Sequence, residues 1–389
     1  MFAHRGRCTL PSACKPRQPL RDRVTLPRMT ARWQPGQLLF AGFEGTAAPR
    51  PLVDLVAAGR VGGVILFTRN IQDPQQVRGL IHELRSHAPE DAPLSVAIDQ
   101  EGGRVQRLRA PWTEWPPMRR LGELDEREWT AELARALARE LIDLGIDLDF
   151  APVVDVDSNP ANPVIGDRSF AREPERVAKH ARAFIEAMQS CKVACCAKHF
   201  PGHGDTALDS HFALPKLAHP LERLLQVELP PFEAAIAAGV AAIMSSHVVF
   251  EAIDRKRPAT FSPEVMAILR ERLGYRGLVF SDDLEMKAVA DHWPPREMVP
   301  LALDAGIDAL LACNRFDFVE EVLARLERSK DTQLEGPLER MATFKREHAT
   351  RLVDAATADD GPPAPERPPY PDHLALAERL KRGEPPRDE

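Results

Sequence analysis

The chain has 389 residues, a length within reach of one large α/β barrel with added terminal segments. Its 51 basic and 58 acidic residues give a net charge of −7, so the composition argues against nucleic acid as a partner. No run approaches the roughly 20 apolar residues that span a bilayer, and the basic N-terminus lacks the apolar core of a secretory signal. We therefore expect a cytoplasmic protein that does not bind membranes.

The two ends of the chain differ in composition from its middle. Residues 1–32 are rich in arginine and proline without periodicity, and Met29 lies just before the first apolar run. This segment is expected to be disordered, or to come from a start site placed too far upstream. Residues 356–389 return to proline and charge, which predicts a disordered C-terminal tail. The folded domain is then expected to cover residues 33–355.

Between the termini, short apolar runs alternate with longer amphipathic ones. Eight runs have the length and composition of buried strands: GQLLFAGF, GGVILF, LSVAID, IDLDFAPV, VACCAKHF, AAIMSSHV, LVFSDDL and IDALLAC. The segments between them have helical periodicity, as in EPERVAKHARAFIEAMQS. Eight apolar strands separated by helices predict an α/β fold, a single closed (β/α)8 barrel of the TIM type. The first strand is not followed by a G-x-G-x-x-G turn, which disfavours an open dinucleotide-binding sheet.

Ionisable residues follow five consecutive predicted strands, the third to the seventh. In a barrel of this kind, functional side chains stand at the carboxyl ends of the strands. The residues at these ends are Asp99, Asp155, Lys198, His199, His247, Asp282 and Asp283. Any one of them alone is more simply a solvated strand end, but their recurrence at one rim predicts a binding site. Because neighbouring strand residues point to opposite faces, only one of Asp282 and Asp283 is expected to face that site.

The loops after the third, fourth and fifth strands are predicted to be about 20 residues or longer, beyond the usual length of such connections. In the first loop, DQEGGRVQRL supplies paired glycines together with Arg104 and Arg107. Arginine suits carboxylates or sugar hydroxyls, although either residue could equally form a structural ion pair with Asp99. In the loop after the fifth strand, Gly202 and Gly204 are expected to leave the chain free to move.

The stretch KHFPGHGDTALDSH, residues 198–211, admits two kinds of chemistry. The first is metal-dependent hydrolysis, for which the candidate ligands are His199, His203, Asp205, His211 and His247. Barrel sites of that kind usually begin with an H-x-H pair at the end of the first strand, and this chain lacks one. Lys198 would also place an ammonium group beside the cation. Both observations disfavour a metal site at this stretch.

The second chemistry is glycosidic bond cleavage by a carboxylate nucleophile and a separate proton donor. Asp282, at the end of the seventh strand, is held rigidly enough to attack an anomeric carbon. Histidine titrates near neutrality, so His211 is suited to giving and then taking a proton. Asp209 could orient this histidine, although it could also be a simple turn residue. Most glycosidases use a second carboxylic acid in place of such a pair.

Four stretches carry a family resemblance: AIDQEGGRVQRL, GDRSF, KHFPGHGDTALDSH and FSDDLEM. Together they resemble the motif set of glycoside hydrolase family 3, especially its single-domain bacterial β-N-acetylhexosaminidases of the NagZ type. The resemblance implies a covalent glycosyl-enzyme on Asp282, with His211 as acid/base and Asp209 as its partner. It further implies that the terminal sugar is held by Asp99, Arg107, Arg168, Lys198 and His199. His203 and Asp205 then shape the loop.

The same resemblance implies a retaining β-N-acetylhexosaminidase that removes terminal N-acetylglucosamine from β-1,4-linked muropeptide fragments in peptidoglycan recycling. We expect no second sandwich domain after the barrel, which favours this compact branch over glucosidases and xylosidases. No cofactor is implied, and a monomer that binds only its carbohydrate substrate is expected. Three alternatives stay open: a phosphorylase that uses the same residues with phosphate as acceptor, a metal-dependent barrel hydrolase, and a sugar-binding barrel without catalysis.

Overall fold

The computed structural model describes residues 34–207, 209–210, 213–349 and 368–384. Eight parallel strands close into a barrel. They are β1 Leu39–Ala41, β2 Gly63–Leu66, β3 Ser95–Ile98, β4 Leu148–Asp149, β5 Ala194–Phe200, β6 Ala242–Ser245, β7 Leu278–Asp283 and β8 Ala309–Ala312. Leu39 pairs with Leu310, which closes the ring. The eight predicted strands and the single (β/α)8 barrel are confirmed. The predicted N-terminal extension, residues 1–32, lies outside the described residues.

Helices cover the outside of the barrel, and local sequence signals fix their ends. The side chain of Asp73 accepts hydrogen bonds from two backbone amides at the start of α2, and Gly145 ends α4 with a φ of 86°. The helices are α1 Arg50–Ala57, α2 Pro74–His87, α3 Met118–Leu124, α4 Arg127–Leu144, α5 Pro174–Ser190, α6 Leu221–Arg223, α7 Pro230–Ala237, α8 Pro263–Ala267, α9 Lys287–Ala290, α10 Pro295–Ala305, α11 Phe316–Leu326, α12 Asp331–Glu347 and α13 Pro371–Arg382. Among the described residues, none of the helices combines the length and apolar character that crossing a membrane requires.

Aromatic side chains fill the interior of the barrel. The ring of Phe280 in β7 lies 4.9 Å from that of Phe40 in β1 and 5.2 Å from that of Phe150, just after β4. These strands are not neighbours in the ring, so the three side chains meet across its centre. All three are fully buried. This packed interior supports the polar residues at the carboxyl ends of the strands from below.

Two irregular features lie at the carboxyl end of the barrel. After β3 the chain forms a short antiparallel hairpin of Gln100–Gly102 with Val105–Gln106. In β7 the register against β8 shifts between Phe280 and Asp283. Such an irregularity re-aims the side chains that follow it. Both features change which residues reach the space above the barrel.

The prediction of a disordered tail over residues 356–389 is wrong for part of that segment. Pro371–Arg382 forms α13, which packs against α4. Tyr370, just before the helix, is buried, and its hydroxyl donates a hydrogen bond to Oδ2 of Asp143 in α4 at 2.8 Å. Nδ1 of His373 lies 2.8 Å from Oε1 of Glu140, and both side chains are almost fully buried. Proline and charged residues dominate the composition of the tail. This composition did not indicate the one amphipathic helix within it, which packs against α4.

Candidate active site

A cavity of about 320 Å³ lies at the carboxyl ends of the strands, a size that suits a small ligand such as one sugar ring. Its apolar wall includes Ile65, Phe150, Met244 and Leu311. Six of the eight predicted site residues also line it, namely Asp99, Arg107, Arg168, Lys198, His199 and Asp282. The barrel thus brings together residues that are far apart in the sequence, as the rim prediction required.

Lys198, near the end of β5, is the centre of a charge network. Its Nζ lies 2.7 Å from Oδ1 of Asp99 and 2.7 Å from Oε1 of Glu101. Nη2 of Arg107 reaches the other oxygen of Asp99 at 3.1 Å, so the ion pair considered for Arg107 is present. Burial alone would raise the pKa of Asp99, but Lys198 and Arg107 outweigh it and lower that pKa. Asp99 is therefore ionised, and it holds both cations in place.

Glu101 belongs to this network although it was absent from the predicted set. Its carboxylate accepts two hydrogen bonds from Arg168, from Nε at 2.8 Å and from Nη2 at 2.7 Å. Burial would raise the pKa of Glu101, yet Arg168 and Lys198 hold it at about 2. The hairpin places Glu101 beside Asp99, because residues two apart in an extended segment share a face. That spacing within DQEGGRVQRL was the available signal.

His199 is oriented by a buried carboxylate behind it. Its Nδ1 lies 2.7 Å from Oδ2 of Asp155, and its backbone N–H donates to the same oxygen at 3.2 Å. The other oxygen of Asp155 accepts the backbone N–H of His203 at 2.7 Å. Burial raises the pKa of Asp155, but the nearby His199 outweighs this effect and lowers it. Asp155 thus supports the cavity wall from inside the protein, with no exposed surface of its own.

Both Asp282 and Asp283 line the cavity, so the prediction that only one would face it is wrong. The register shift in β7 interrupts the alternation of side chains on which that prediction depended. The backbone N–H of Asp283 donates to Oδ1 of Asp282 at 2.8 Å. The Asp283 carboxylate accepts from the backbone N–H of Glu285 at 3.0 Å and from Nδ2 of Asn314 at 3.1 Å. Burial raises the pKa of Asp283 to about 7.

The predicted proton-donor pair is only partly described. His211 lies outside the described residues. Asp209 is partly exposed and is not part of the cavity wall, whereas the next residue, Ser210, is buried and lines it. The chain therefore reaches the cavity directly before His211, and the pairing of Asp209 with His211 stays a prediction.

The glycines of the same loop allow close packing. A Cβ on Gly204 would lie 1.6 Å from the backbone oxygen of Val156. Gly202 has a φ of 143°, and a Cβ there would lie 2.7 Å from Cγ of Glu228. Each of these two glycines is thus required for a close contact with a neighbouring segment. The expectation that they leave the loop free to move stays a prediction.

The other residues singled out from the sequence lie around the cavity. Arg104 does not pair with Asp99; its Nη2 donates to the backbone oxygen of Ile165 at 3.0 Å. Nε2 of His247 lies 3.0 Å from the backbone oxygen of Asp283 and so supports the end of β7. Asp205 contacts His219. Within the part of the chain that the structure describes, no group of three or more His, Cys, Asp or Glu side chains is arranged to hold a metal ion.

Comparison with known proteins places this geometry in a family. A model of the glycosyl hydrolase family 3 N-terminal domain matches residues 33–343. The chain is 44% identical over 274 residues to a β-hexosaminidase of Thiobacillus denitrificans, which is 69% of this chain and 75% of that protein. It is 43% identical over 289 residues to a β-hexosaminidase of Methylococcus capsulatus, covering 73% of this chain and 84% of that one.

Solved structures agree with these relatives. A family 3 β-N-acetylglucosaminidase from Paenibacillus sp. str. FPU-7 superposes with a TM-score of 0.85 at 38% identity, covering 91% of this chain and 69% of that one. NagZ from Neisseria gonorrhoeae, in complex with N-trifluoroacetyl-D-glucosamine, gives 0.73 at 31% identity, covering 90% of this chain and 98% of that one. Since the family model spans the barrel and the relatives match over most of their length, the chain belongs to glycosyl hydrolase family 3 and is a glycosidase.

Proposed function

We propose that the protein is a retaining β-N-acetylhexosaminidase that releases terminal N-acetylglucosamine from β-1,4-linked muropeptide fragments during cytoplasmic peptidoglycan recycling. The observation that carries this proposal is the cavity, in which Asp282 shares one sugar-sized space with the Asp99, Lys198 and Arg168 network. The β-hexosaminidase names of the relatives and the glucosamine derivative bound to the gonococcal NagZ support the same sugar.

In the proposed reaction, a carboxylate oxygen of Asp282 attacks the anomeric carbon while the bond to the leaving oxygen breaks. His211, oriented by Asp209, gives its proton to that oxygen, so the aglycone leaves as an alcohol and the sugar stays bound to Asp282. His211 then takes a proton from water, which attacks the anomeric carbon and releases Asp282. Two inversions at one carbon retain the configuration.

The charge network has a binding role in this scheme. Asp99 accepts hydrogen bonds from sugar hydroxyls, and Arg107, Arg168, Lys198 and His199 donate to the hydroxyls and the N-acetyl group. The ion pairs hold these donors in fixed directions before the sugar arrives, so little reorganisation is needed on binding. Asp283, with its pKa raised to about 7, is largely neutral below that pH and adds little negative charge beside Asp282.

Hydrolysis of a chromogenic β-N-acetylglucosaminide tests the proposal. We expect Asp282→Asn to lower kcat by at least about 10³-fold, because the amide cannot form the glycosyl-enzyme. A matched control is Asp54→Asn, at an exposed aspartate of α1 that pairs with Arg50, and it should keep wild-type turnover. Wild-type turnover by Asp282→Asn would contradict the proposal, as would cleavage of the glucoside in place of the N-acetylglucosaminide.

Two further arms of this assay address the acceptor and the natural substrate. In phosphate buffer, the proposal predicts free N-acetylglucosamine as the product, whereas release of the sugar phosphate would identify a phosphorylase. With purified N-acetylglucosaminyl-anhydromuramyl peptides as substrate, we expect release of N-acetylglucosamine. Failure to cleave these fragments while cleaving the chromogenic substrate would contradict the role in peptidoglycan recycling.

A further inference from the structure

His203 is a buried histidine at the edge of the cavity that the proposed mechanism does not use. Its side chain is bonded on both sides within its own loop, with Nε2 2.9 Å from Oγ of Ser210 and Nδ1 3.0 Å from Oγ1 of Thr206. Its backbone N–H donates to Asp155 at 2.7 Å. The residue therefore connects the rim of the barrel to a later point of the loop that follows β5.

The imidazole of His203 is suited to a fixed structural contact. Burial, assisted by the neighbouring His199, lowers the pKa of His203 to about 4, so the ring is neutral near pH 7. A neutral imidazole donates from one nitrogen and accepts at the other. The hydroxyls of Thr206 and Ser210 can serve in either sense, so both nitrogens are satisfied inside the loop.

Ser210 is held from two directions. Its hydroxyl lies against His203, and its backbone oxygen accepts a hydrogen bond from the N–H of Ala288 at 3.3 Å. Ala288 belongs to α9, the short helix that follows β7 and Asp282. Ser210 is only 2% exposed, and it borders the cavity. The loop is thus fixed at this residue relative to both the sugar-binding strand and the strand of the proposed nucleophile.

We propose that His203 is a positioning residue for proton transfer: it holds Ser210 and thereby fixes the chain immediately before His211. This inference rests on the proposed function, in which His211 is the acid/base. A continuous set of contacts runs from His199 through Asp155 and His203 to Ser210. The residues that bind the sugar and the segment that delivers the proton therefore share one support.

Kinetics with a series of aryl β-N-acetylglucosaminides of decreasing leaving-group acidity test this inference, using His203→Gln and Ser210→Ala. General acid catalysis is worth roughly 10²–10⁴-fold, and it matters most for poor leaving groups. We expect kcat/KM for the poorest leaving group to fall by about 10-fold or more. For the most activated leaving group, kcat/KM of both variants should stay near the wild-type value. Inhibition by N-acetylglucosamine should be unchanged, because the sugar-binding residues are retained.

His180→Gln is a matched control, because Nδ1 of this buried histidine lies 2.7 Å from the hydroxyl of Thr130 in the outer helical layer. Any change in kcat/KM that this variant causes should be the same for all leaving groups. An equal loss for all leaving groups in His203→Gln and Ser210→Ala would overturn the inference, as would the same selective pattern in His180→Gln. Should His203→Gln fail to fold, Ser210→Ala removes the same hydrogen bond and decides the question.

His211→Ala separates this inference from the proposed function. If His211→Ala shows no dependence on the leaving group, the proposed acid/base is wrong, and the inference fails with it. If His211→Ala shows that dependence and neither Ser210→Ala nor His203→Gln does, the proposed function stands and the positioning role of His203 is refuted.

Discussion

Each buried cation of the charge network is held by carboxylates, and Glu101 is shared by Arg168 and Lys198. We expect Glu101→Gln to weaken binding of N-acetylglucosamine by about 10-fold and to lower the free energy of unfolding by about 3 kcal/mol, since breaking a buried pair leaves charge uncompensated. Calorimetry with the sugar and urea unfolding at pH 7 measure the two effects. Unchanged affinity in the variant would contradict the positioning role of Glu101.

The pH dependence of this contribution has a definite sign. The pKa of Glu101 is about 2 in the folded protein, below its ordinary value, so its stabilising effect is present above about pH 4.5 and lost as the pH falls toward 2. The difference in unfolding free energy between the wild type and Glu101→Gln should therefore shrink in acid. A difference that is constant from pH 7 to pH 3 would show that the charge of Glu101 is not its cause.

Individual residues show how far the sequence predicts the site. Asp99, Lys198 and Asp282 could be assigned to the cavity because each follows or ends an apolar strand, and strand ends of a barrel converge. Glu101 and Asp283 could not. The position of Glu101 depends on a hairpin of only a few residues. The position of Asp283 depends on a register shift that the pattern of side chains in the strand does not predict.

At the scale of elements, the helical segment after the β5 loop carries a buried carboxyl against that loop. Glu228 ends the π-helical turn Leu224–Glu228 and packs on Gly202. Nη2 of Arg223 lies 3.4 Å from Oε1 of this carboxyl group. Burial raises the pKa of Glu228 to about 7, so the neutral form is favoured on folding.

Because this folded-state pKa exceeds the unfolded one, the contribution of Glu228 to stability is present below about pH 4.5 and is lost as the pH rises through 7. The loss amounts to about 3 kcal/mol. We expect Glu228→Gln to gain stability relative to the wild type between pH 5 and pH 8, as measured by urea unfolding at both values. Glu222→Gln, at an exposed position of the same helical segment, is the control. Parallel pH profiles for the wild type and Glu228→Gln would contradict this account.

At the scale of the whole molecule, α13 supports the site from behind. The ring of His373 lies 5.8 Å from that of Trp115, whose backbone oxygen accepts the N–H of Gly103 in the hairpin of Glu101. We expect His373→Ala to lower the free energy of unfolding by about 2 kcal/mol, since it leaves the buried Glu140 without this partner. We also expect KM to rise more than kcat falls. Thermal denaturation and steady-state kinetics measure these effects.

Leu374→Ala provides the control for α13, because this side chain is 41% exposed. It should leave both the stability and KM close to wild type. If His373→Ala changes stability without any change in KM, the helix stabilises the fold but does not support the hairpin that carries Glu101. The helix itself was not predicted, since its apolar residues are few and their meaning depends on α4, which is more than 200 residues away in the chain.

The pairing of Leu39 with Leu310 has a consequence for biosynthesis. While the ribosome is still making the later part of the chain, β1 has only β2 beside it, and its other edge stays open until β8 emerges. Unpaired strand edges are templates for association between chains. We therefore expect nascent chains that stop before residue 312 to aggregate, and the ring to close only after the eighth strand has left the ribosomal tunnel.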